Sequence, residues 1–237
     1  MPTIAVIVPC FNEAKRLSVQ EFVRFIQIFP EMNLLFVNDG STDGTATLLE
    51  SIKMSMQNRV QILTLLANSG KGEAVRQGMI LAQRENFDYT GFLDADGATP
   101  VDEFYRICKI GMQRNADIII GSRIKKIDTI IQRSAFRHFI GRSIATFLDM
   151  KFQMGCYDTQ CGAKLFKTSV LKDVIQVPFY TTWFFDVELM LRIRKENDEW
   201  RAIEEPLKLW LNKKGSKINL LSFPKVLREL FILTAKY

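Results

Sequence analysis

The sequence predicts an α/β fold with a mostly parallel sheet and helices on both of its faces. In the first half of the chain, short runs of apolar residues alternate with amphipathic segments of helix length. The runs are continuously apolar rather than alternating, which is typical of strands covered by helices on both faces. The connections are short, and strand–helix alternation of this kind favours parallel strand order.

The elements follow in order along the chain. Each strand candidate is rich in Val, Ile, Leu or Phe and ends in a polar loop; the candidates are residues 4–8, 33–38, 60–66, 89–94 and 117–121. Helices are predicted between them, at residues 17–29, 43–56, 71–85 and 101–113. Because no repeat, low-complexity tract or linker interrupts the 237 residues, we predict a single domain over 1–237.

Composition restricts the cellular setting. The net charge of +6 is compatible with nucleic acid, an anionic membrane surface or phosphorylated substrates. The four cysteines lack a zinc-type spacing and His138 is the single histidine, so we expect reduced thiols and no structural metal site. We find no basic leader and no run of about 20 apolar residues. The expected location is cytoplasmic, with peripheral contact to the inner face of a membrane left open.

Two acids, Asp94 and Asp96, stand where the strand candidate 89–94 opens into a loop. Residues two apart on a strand share a face, so both carboxylates can point at one site. Mg²⁺ commonly binds through one or two carboxylates plus substrate phosphates, and Mn²⁺ accepts the same ligands. Acids after a strand are also common in turns and helix caps. The neighbouring loops favour the metal interpretation.

Those neighbours are polar loops after two other strand candidates, at residues 9–13 and 38–44. In open parallel sheets, ligands bind at the carboxyl ends of the strands. Asp39 can accept hydrogen bonds from a base or ribose there, while Gly40 permits a tight turn. The alternative for Asp39 is a structural turn aspartate.

Residues 68–74 superficially resemble a phosphate-binding P-loop. That motif requires a glycine where Leu65 stands and a Ser or Thr where Gly72 stands, so an NTPase of this type is disfavoured. What remains is Lys71 at the start of a helix, where it can meet a diphosphate near the helix dipole.

The second half carries further acids and a basic run over 121–142. Asp158 lies in a loop flanked by glycines, and Asp186 begins a helical run, where an acid can also serve as a cap. With His138 in a basic stretch, any protein base should be a carboxylate. The apolar stretch 218–237 is either a helix packed on the domain or an interfacial helix that contacts lipid.

A family resemblance rests on these motifs together. The chain resembles inverting family-2 glycosyltransferases of GT-A fold in Val8-Pro9-Cys10-Phe11-Asn12-Glu13, Val37-Asn38-Asp39-Gly40-Ser41-Thr42-Asp43-Gly44, Lys71-Gly72 and Asp94-Ala95-Asp96. It is most similar to dolichyl- or polyprenyl-phosphate β-glucosyltransferases in Gly121-Ser122-Arg123, the stretch from Asp158 to Phe166, Phe185-Asp186-Val187-Glu188-Leu189 and Gly215-Ser216-Lys217.

The resemblance implies a Rossmann-like, nucleotide-sugar-binding half (1–122) and a smaller acceptor-side half (123–237). Implied nucleotide-sugar contacts are Pro9, Phe11, Asn12, Glu13, Asp39, Ser41, Lys71, Asp94 and Ala95. Implied ligands of Mg²⁺ or Mn²⁺ are Asp94 and Asp96, and implied catalytic acids are Asp158, Asp186 and Asp96. Implied acceptor contacts are Arg123, Arg133, Trp183, Ser216 and Lys217.

The leading hypothesis is metal-dependent transfer of glucose from UDP-glucose to a polyprenyl or dolichyl phosphate. Ala98 stands where related mannose synthases often carry a metal-binding Gln. This difference favours glucose over mannose as the transferred sugar. Asp158 would position a phosphate acceptor, whereas a hydroxyl acceptor in cell-surface polysaccharide synthesis would require a carboxylate base. A non-catalytic nucleotide-sugar-binding subunit acting through a membrane partner is a further alternative. A nucleic-acid partner is not expected, since no recognition motif accompanies the basic run.

Overall fold

The computed structural model describes residues 2–132, 135–197, 199–213 and 223–237. Its main sheet has seven strands in the order β3-β2-β1-β4-β7-β5-β8. Their bounds are β1 Ile4–Cys10, β2 Met32–Asp39, β3 Val60–Leu65, β4 Tyr89–Leu93, β5 Ile118–Ser122, β7 Ala163–Lys167 and β8 Ala202–Pro206. A second, two-stranded sheet pairs β6 Ile130–Ile131 with β9 Leu209–Trp210.

The helices connect and cover these strands. They are α1 Val19–Ile28, α2 Thr45–Ser55, α3 Lys71–Arg84, α4 Val101–Gln113, α5 Ala135–Phe152, α6 Phe185–Glu196 and α7 Phe223–Lys236. Short 3₁₀ turns occur at Gln57–Arg59 and Thr168–Leu171. Local chemistry sets several starts: Ser18 caps α1 by accepting the N–H of Glu21, and α3 begins directly after Gly70, whose φ of +92° suits glycine.

The predicted α/β fold with a mostly parallel sheet is confirmed. The five strands and four helices predicted in the first half are all present, with ends shifted by a few residues at most. One feature was not predicted: β7 pairs antiparallel with both β4 and β5, so a strand from the second half of the chain lies inside the sheet. This insertion brings second-half residues to the edge where β4 ends.

Two apolar cores cover the sheet. One face packs against α1, α2 and α4 through side chains such as Phe25, Ile52 and Phe104. The other face packs against α3 and α6 through side chains such as Met79 and Leu189. The strands are therefore buried on both faces, which accounts for their continuously apolar sequences.

A third apolar cluster joins helices α5, α6 and α7, through Leu148, Leu191 and Leu233 among others. The described part of the C-terminal stretch, α7, is thus a helix that packs on the domain, one of the two alternatives for residues 218–237; residues 218–222 lie outside the described residues. That same helix exposes Leu227 and Phe231 on its other side, so lipid contact stays a prediction. Within the described ranges, none of the helices combines the length and apolarity needed to cross a membrane.

Candidate active site

A cavity of about 760 Å³ opens at the carboxyl ends of β1, β2 and β4. Most residues predicted from the sequence to bind a donor or acceptor line it: Pro9, Phe11, Glu13, Asp39, Lys71, Asp94, Ala95, Asp96, Arg123 and Trp183. The sheet brings these residues together from distant parts of the chain. Its carboxyl edge is where ligands bind in open α/β sheets.

Asp94 lies at the junction between the two halves. Its backbone N–H donates to the carbonyl of Gly162, 3.1 Å away, so the β4–β7 ladder continues one residue past β4. A Cβ built at Gly162 would overlap the Asp94 carboxylate. The Lys71 Nζ lies 2.5 Å from Asp94 Oδ1. Asp94 therefore has a defined position that depends on a glycine from the second half of the chain.

Asp96 is partly buried, and its Oδ1 accepts the N–H of Ala98 at 3.0 Å. Burial raises the pKa of Asp96, and the negative charge of Asp94 raises it further. Burial lowers the pKa of Lys71, but the negative charges of Asp94, Asp186 and Asp96, with Asp94 contributing most, raise it by more, so the net pKa is raised. Two carboxylates that repel one another at a cavity wall are a suitable place for a divalent cation.

The donor set fits a cation that takes further ligands from a substrate. Among the described residues, no group of three or more His, Cys, Asp or Glu side chains is arranged to hold a metal. Asp94 and Asp96 could supply two oxygen ligands, and Mg²⁺ or Mn²⁺ bound in this way would complete its coordination with phosphate and water.

Asp39 organises the loop that precedes α3. Its Oδ1 accepts the N–H of Ser69 at 2.7 Å, and its Oδ2 accepts the N–H of Gly70 at 2.9 Å. The adjoining Gly40 has a φ of +66°, and a Cβ there would meet the backbone of Ala67. Asp39 thus lines the cavity and also holds the loop that delivers Lys71. The predicted contact between Asp39 and a nucleoside stays a prediction.

Asn12 and Ser41 join the first two loops of the rim. The N–H of Asn12 donates to Ser41 Oγ at 3.0 Å, and the N–H of Thr42 donates to Asn12 Oδ1 at 2.9 Å. Neither side chain is among those lining the cavity. Glu13 does line it and forms an ion pair with Arg16, a cavity residue that the sequence analysis missed. Their spacing of three residues was the available signal.

Arg123 and Asp158, both in the second half of the chain, form a bidentate ion pair. Arg123 Nε lies 2.7 Å from Asp158 Oδ2, and Arg123 Nη2 lies 2.7 Å from Asp158 Oδ1. Asp158 is 6% exposed and does not line the cavity, whereas Arg123 does. Glu204 on β8 accepts the N–H groups of Tyr157 and Asp158 and holds their loop.

Asp186 is held in a second buried network behind the cavity wall. Lys164 Nζ lies 2.8 Å from Asp186 Oδ2, and Gln160 Nε2 lies 2.5 Å from Asp186 Oδ1. Lys164 is fully buried and also donates to the carbonyl of Cys161. The catalytic roles predicted for Asp158 and Asp186 stay predictions, and their contacts favour positioning. A lysine inside the apolar strand β7 was a signal for this network.

Three predicted acceptor contacts, Arg133, Ser216 and Lys217, lie outside the described residues. The second half of the chain contributes further cavity residues that the sequence analysis missed: Thr182, Trp210, Asn212, Lys213 and Lys225. Lys213 and Lys225 lie close in sequence to the 215–217 motif, and this proximity could have identified them as candidates for the site.

A family model described as glycosyl transferase family 2 matches residues 5–175. Dolichyl-phosphate β-glucosyltransferase of Dictyostelium discoideum is 31% identical, with 91% of this chain and 68% of the relative covered. The enzyme of the same name from Drosophila melanogaster is 31% identical, with 99% of this chain and 75% of the relative covered. That from Saccharomyces cerevisiae is 30% identical, covering 99% and 75%.

Solved structures support the fold. Glucosyl-3-phosphoglycerate synthase from Mycobacterium tuberculosis, in complex with Mn²⁺, UDP and phosphoglyceric acid, superimposes with a TM-score of 0.70 at 14% identity, covering 99% of this chain and 77% of that one. The same synthase with Mg²⁺ and UDP superimposes with a TM-score of 0.70 at 14% identity, covering 99% of this chain and 78% of the synthase. The predicted GT-A fold and the predicted similarity to dolichyl-phosphate β-glucosyltransferases are confirmed. The chain belongs to glycosyl transferase family 2, and the prediction of a glycosyltransferase enzyme is confirmed with it.

Proposed function

We propose that this enzyme transfers glucose from UDP-glucose to dolichyl phosphate or a related polyprenyl phosphate. The observation that carries the proposal is a single cavity that contains paired acids and Lys71 from one half together with Arg123 from the other. The names of the curated relatives support the acceptor and the sugar. UDP in the complexes of structural neighbours supports the donor.

On the donor side, Lys71 would bind the diphosphate. It is the first residue of α3, so its ammonium acts together with the positive end of the helix. As the bond to the sugar breaks, negative charge grows on the departing diphosphate. A fixed cation at that point stabilises the transition state more than the ground state, which raises turnover.

Asp94 and Asp96 would hold Mg²⁺ or Mn²⁺ against the same diphosphate. When bound, the cation would supply Lewis-acid stabilisation of the leaving group. Asp94 would share its carboxylate between this ion and Lys71, whose Nζ already lies 2.5 Å away. The raised pKa of Asp96 supports this role, since a nearby cation would favour its ionised form.

On the acceptor side, a phosphate monoester with a second pKa of about 6 is mostly ionised at neutral pH. One of its oxygens would attack the anomeric carbon while the bond from that carbon to the diphosphate breaks, with inversion and an oxocarbenium-like transition state. No proton has to move. This chemistry suits a site where Asp158 and Asp186 are each paired with a buried or partly buried cation.

Arg123 would orient the acceptor phosphate. Three of its side-chain hydrogen bonds go to Asp158 and to the carbonyl of Gln160, which fixes the guanidinium plane. The remaining Nη1 end would face the ligand. A guanidinium fixed in this way loses little freedom on binding, so it suits recognition of an anion.

The test is a transfer assay with radiolabelled UDP-glucose, Mn²⁺ and three acceptors in detergent: dolichyl phosphate, dolichol and a glucoside. We expect labelled lipid with dolichyl phosphate alone. Transfer to dolichol or to the glucoside, with none to dolichyl phosphate, would contradict the proposed acceptor. Replacing UDP-glucose by GDP-mannose tests the donor, for which no transfer is expected.

The proposed acceptor is a membrane lipid, and we propose that helices α5 and α7 bring the enzyme to it. Each helix buries one side in the third apolar cluster. Each also exposes large apolar side chains: Phe139, Phe147 and Met150 on α5, and Leu227 and Phe231 on α7. A helix with one exposed apolar side can insert that side at the boundary between headgroups and acyl chains.

Co-sedimentation with vesicles of phosphatidylcholine and phosphatidylserine tests this surface. The double variant Leu227→Ser, Phe231→Ser should sediment less than wild type. The matched control is Met54→Ser, Leu66→Ser, which removes two exposed apolar side chains from the nucleotide-sugar-binding half. Equal binding by all three proteins would remove the membrane role of α7.

A further inference from the structure

Glu229 of α7 is a buried carboxylate that the proposed chemistry does not use. It is 5% exposed, and its hydrogen bonds reach across to the turn that leads into α6. Glu229 Oε2 accepts the N–H groups of Thr182 at 3.1 Å, Trp183 at 2.7 Å and Phe184 at 3.3 Å. Glu229 Oε1 accepts the hydroxyl of Thr182 at 2.7 Å.

This turn forms part of the cavity wall. Thr182 and Trp183 both line the cavity, together with Arg123 and Lys225. Three successive backbone N–H groups point at one carboxylate, so the path of the backbone through Trp183 is defined by Glu229. Hydrogen bonds to an ionised acceptor are shorter and stronger than those between neutral groups.

Attachment of α7 to the body does not depend on Glu229 alone. Val226 and Leu233, at neighbouring turns of α7, are buried in the third apolar cluster beside Phe184. An apolar residue at position 229 would leave the three N–H groups of the turn without this acceptor. A carboxylate at this position instead organises the polar backbone of the turn, which points to a role in the shape of the cavity.

We propose that Glu229 is a positioning residue for the acceptor side of the site. It acts through Trp183, a cavity-lining residue whose backbone N–H it accepts, and so makes the C-terminal helix part of the acceptor-binding structure. The proposal rests on the proposed function in one respect, namely that the ligand meeting Trp183 is the acceptor rather than the donor. The position of Trp183 itself is independent of which reaction is catalysed.

The experiment compares wild type, Glu229→Gln, Glu229→Asp and the packing control Ile52→Ala on α2, each labelled with 5-fluorotryptophan. The ¹⁹F signal of Trp183 is assigned from a Trp183→Phe variant. We expect Glu229→Gln to shift this signal and to lower kcat/KM for dolichyl phosphate in detergent by about 10²-fold, the effect of a small misplacement. UDP binding in the presence of Mn²⁺ should be unchanged. Glu229→Asp keeps the charge and should recover part of the loss.

Ile52→Ala should lower the melting temperature without moving the Trp183 signal, because Ile52 is buried in the core on the opposite face of the sheet. The proposal is overturned if Glu229→Gln leaves both the signal and acceptor kcat/KM unchanged, or if Ile52→Ala reproduces its effects at equal loss of melting temperature. Should Glu229→Gln not fold, the same comparison is made with Glu229→Asp. Absence of transfer to dolichyl phosphate by wild type would refute the proposed function, while the ¹⁹F comparison would still test the role of Glu229.

Discussion

The two halves of the molecule use aspartate in opposite ways. In the nucleotide-sugar-binding half, Asp94 and Asp96 lie at the cavity wall, near one another, with Lys71 as the paired cation. In the acceptor-side half, Asp158 and Asp186 are buried behind the wall, and each is paired with its own cation. All four residues are aspartates, so residue type alone does not distinguish the roles of the two pairs. The two pairs differ in charge balance: Asp158 and Asp186 are each neutralised by a cation of their own, whereas Asp94 and Asp96 have one lysine between them.

This difference predicts different consequences of neutralising each acid. Buried, paired carboxylates stabilise the folded state, and removing one leaves a desolvated cation behind. Carboxylates that repel one another at a cavity wall are maintained at a cost in stability, which is typical of sites that bind a ligand. The same substitution should therefore affect mainly activity in one half and mainly stability in the other.

The largest effect is expected for Asp96→Asn. Loss of one of the two carboxylates proposed to hold the metal should lower transfer by about 10³-fold, the upper range for removing a group that stabilises developing charge. Initial rates with UDP-glucose and dolichyl phosphate measure this. The matched control is Asp102→Asn on α4, an exposed acid paired with Arg24 away from the cavity. Comparable activity of Asp96→Asn and the control would contradict the assignment.

Gly162→Ala should have the next largest effect. The new methyl group would displace the Asp94 carboxylate, although the substitution lies in the acceptor-side half. A misplacement of this size should lower transfer by about 10²-fold. Gly44→Ala is the control, since a Cβ there meets only Ala14 at 3.7 Å. An unaffected Gly162→Ala enzyme would show that the position of Asp94 is not critical.

Asp158→Asn should affect stability more than the two substitutions above. Because Arg123 would remain partly buried without its partner, we expect the free energy of unfolding to fall by about 3 kcal/mol. Transfer to dolichyl phosphate should fall by about 10-fold, through a less well oriented Arg123. Urea unfolding and acceptor kinetics measure the two effects. A loss of transfer above roughly 10²-fold in folded protein would instead indicate a catalytic base.

The smallest expected effect is a gain in stability for Asp96→Asn. Since burial and Asp94 raise the pKa of Asp96, its ionisation opposes folding at neutral pH. The substitution should therefore raise the free energy of unfolding by roughly 1 kcal/mol. In wild type, the penalty should begin to fall as the pH drops to the raised folded-state pKa of Asp96 and should be gone below the ordinary pKa of an aspartate, so the two proteins should converge in stability at acid pH. A destabilised variant at neutral pH would contradict this.

The first half of the fold was accessible from sequence because its signals are local. Continuous apolar runs mark strands buried on both faces, and polar residues follow them directly, as in Asp39 and Asp94. Since parallel strands end at one edge, the grouping of these residues could also be predicted. Lys71 was found for the same reason, as a cation at a helix start.

The second half was less accessible because its structure depends on contacts between distant residues. The antiparallel insertion of β7 cannot be inferred from its sequence, which resembles that of any buried strand. Glu229 looks like a solvated helix residue until its partners, 45 to 47 residues earlier, are known. Asp158 looked like a candidate base, and its bidentate contact with Arg123 became visible only in three dimensions.

Calorimetric titration of UDP, with and without Mn²⁺, into wild type, Asp96→Asn and Asp158→Asn tests most directly whether the two pairs of acids differ in function. We predict that Mn²⁺ strengthens UDP binding to wild type and to Asp158→Asn, and that this gain is lost in Asp96→Asn. The account would be contradicted if Mn²⁺ did not change the affinity of wild type for UDP. It would also be contradicted if the Mn²⁺-dependent gain in affinity required Asp158 and not Asp96.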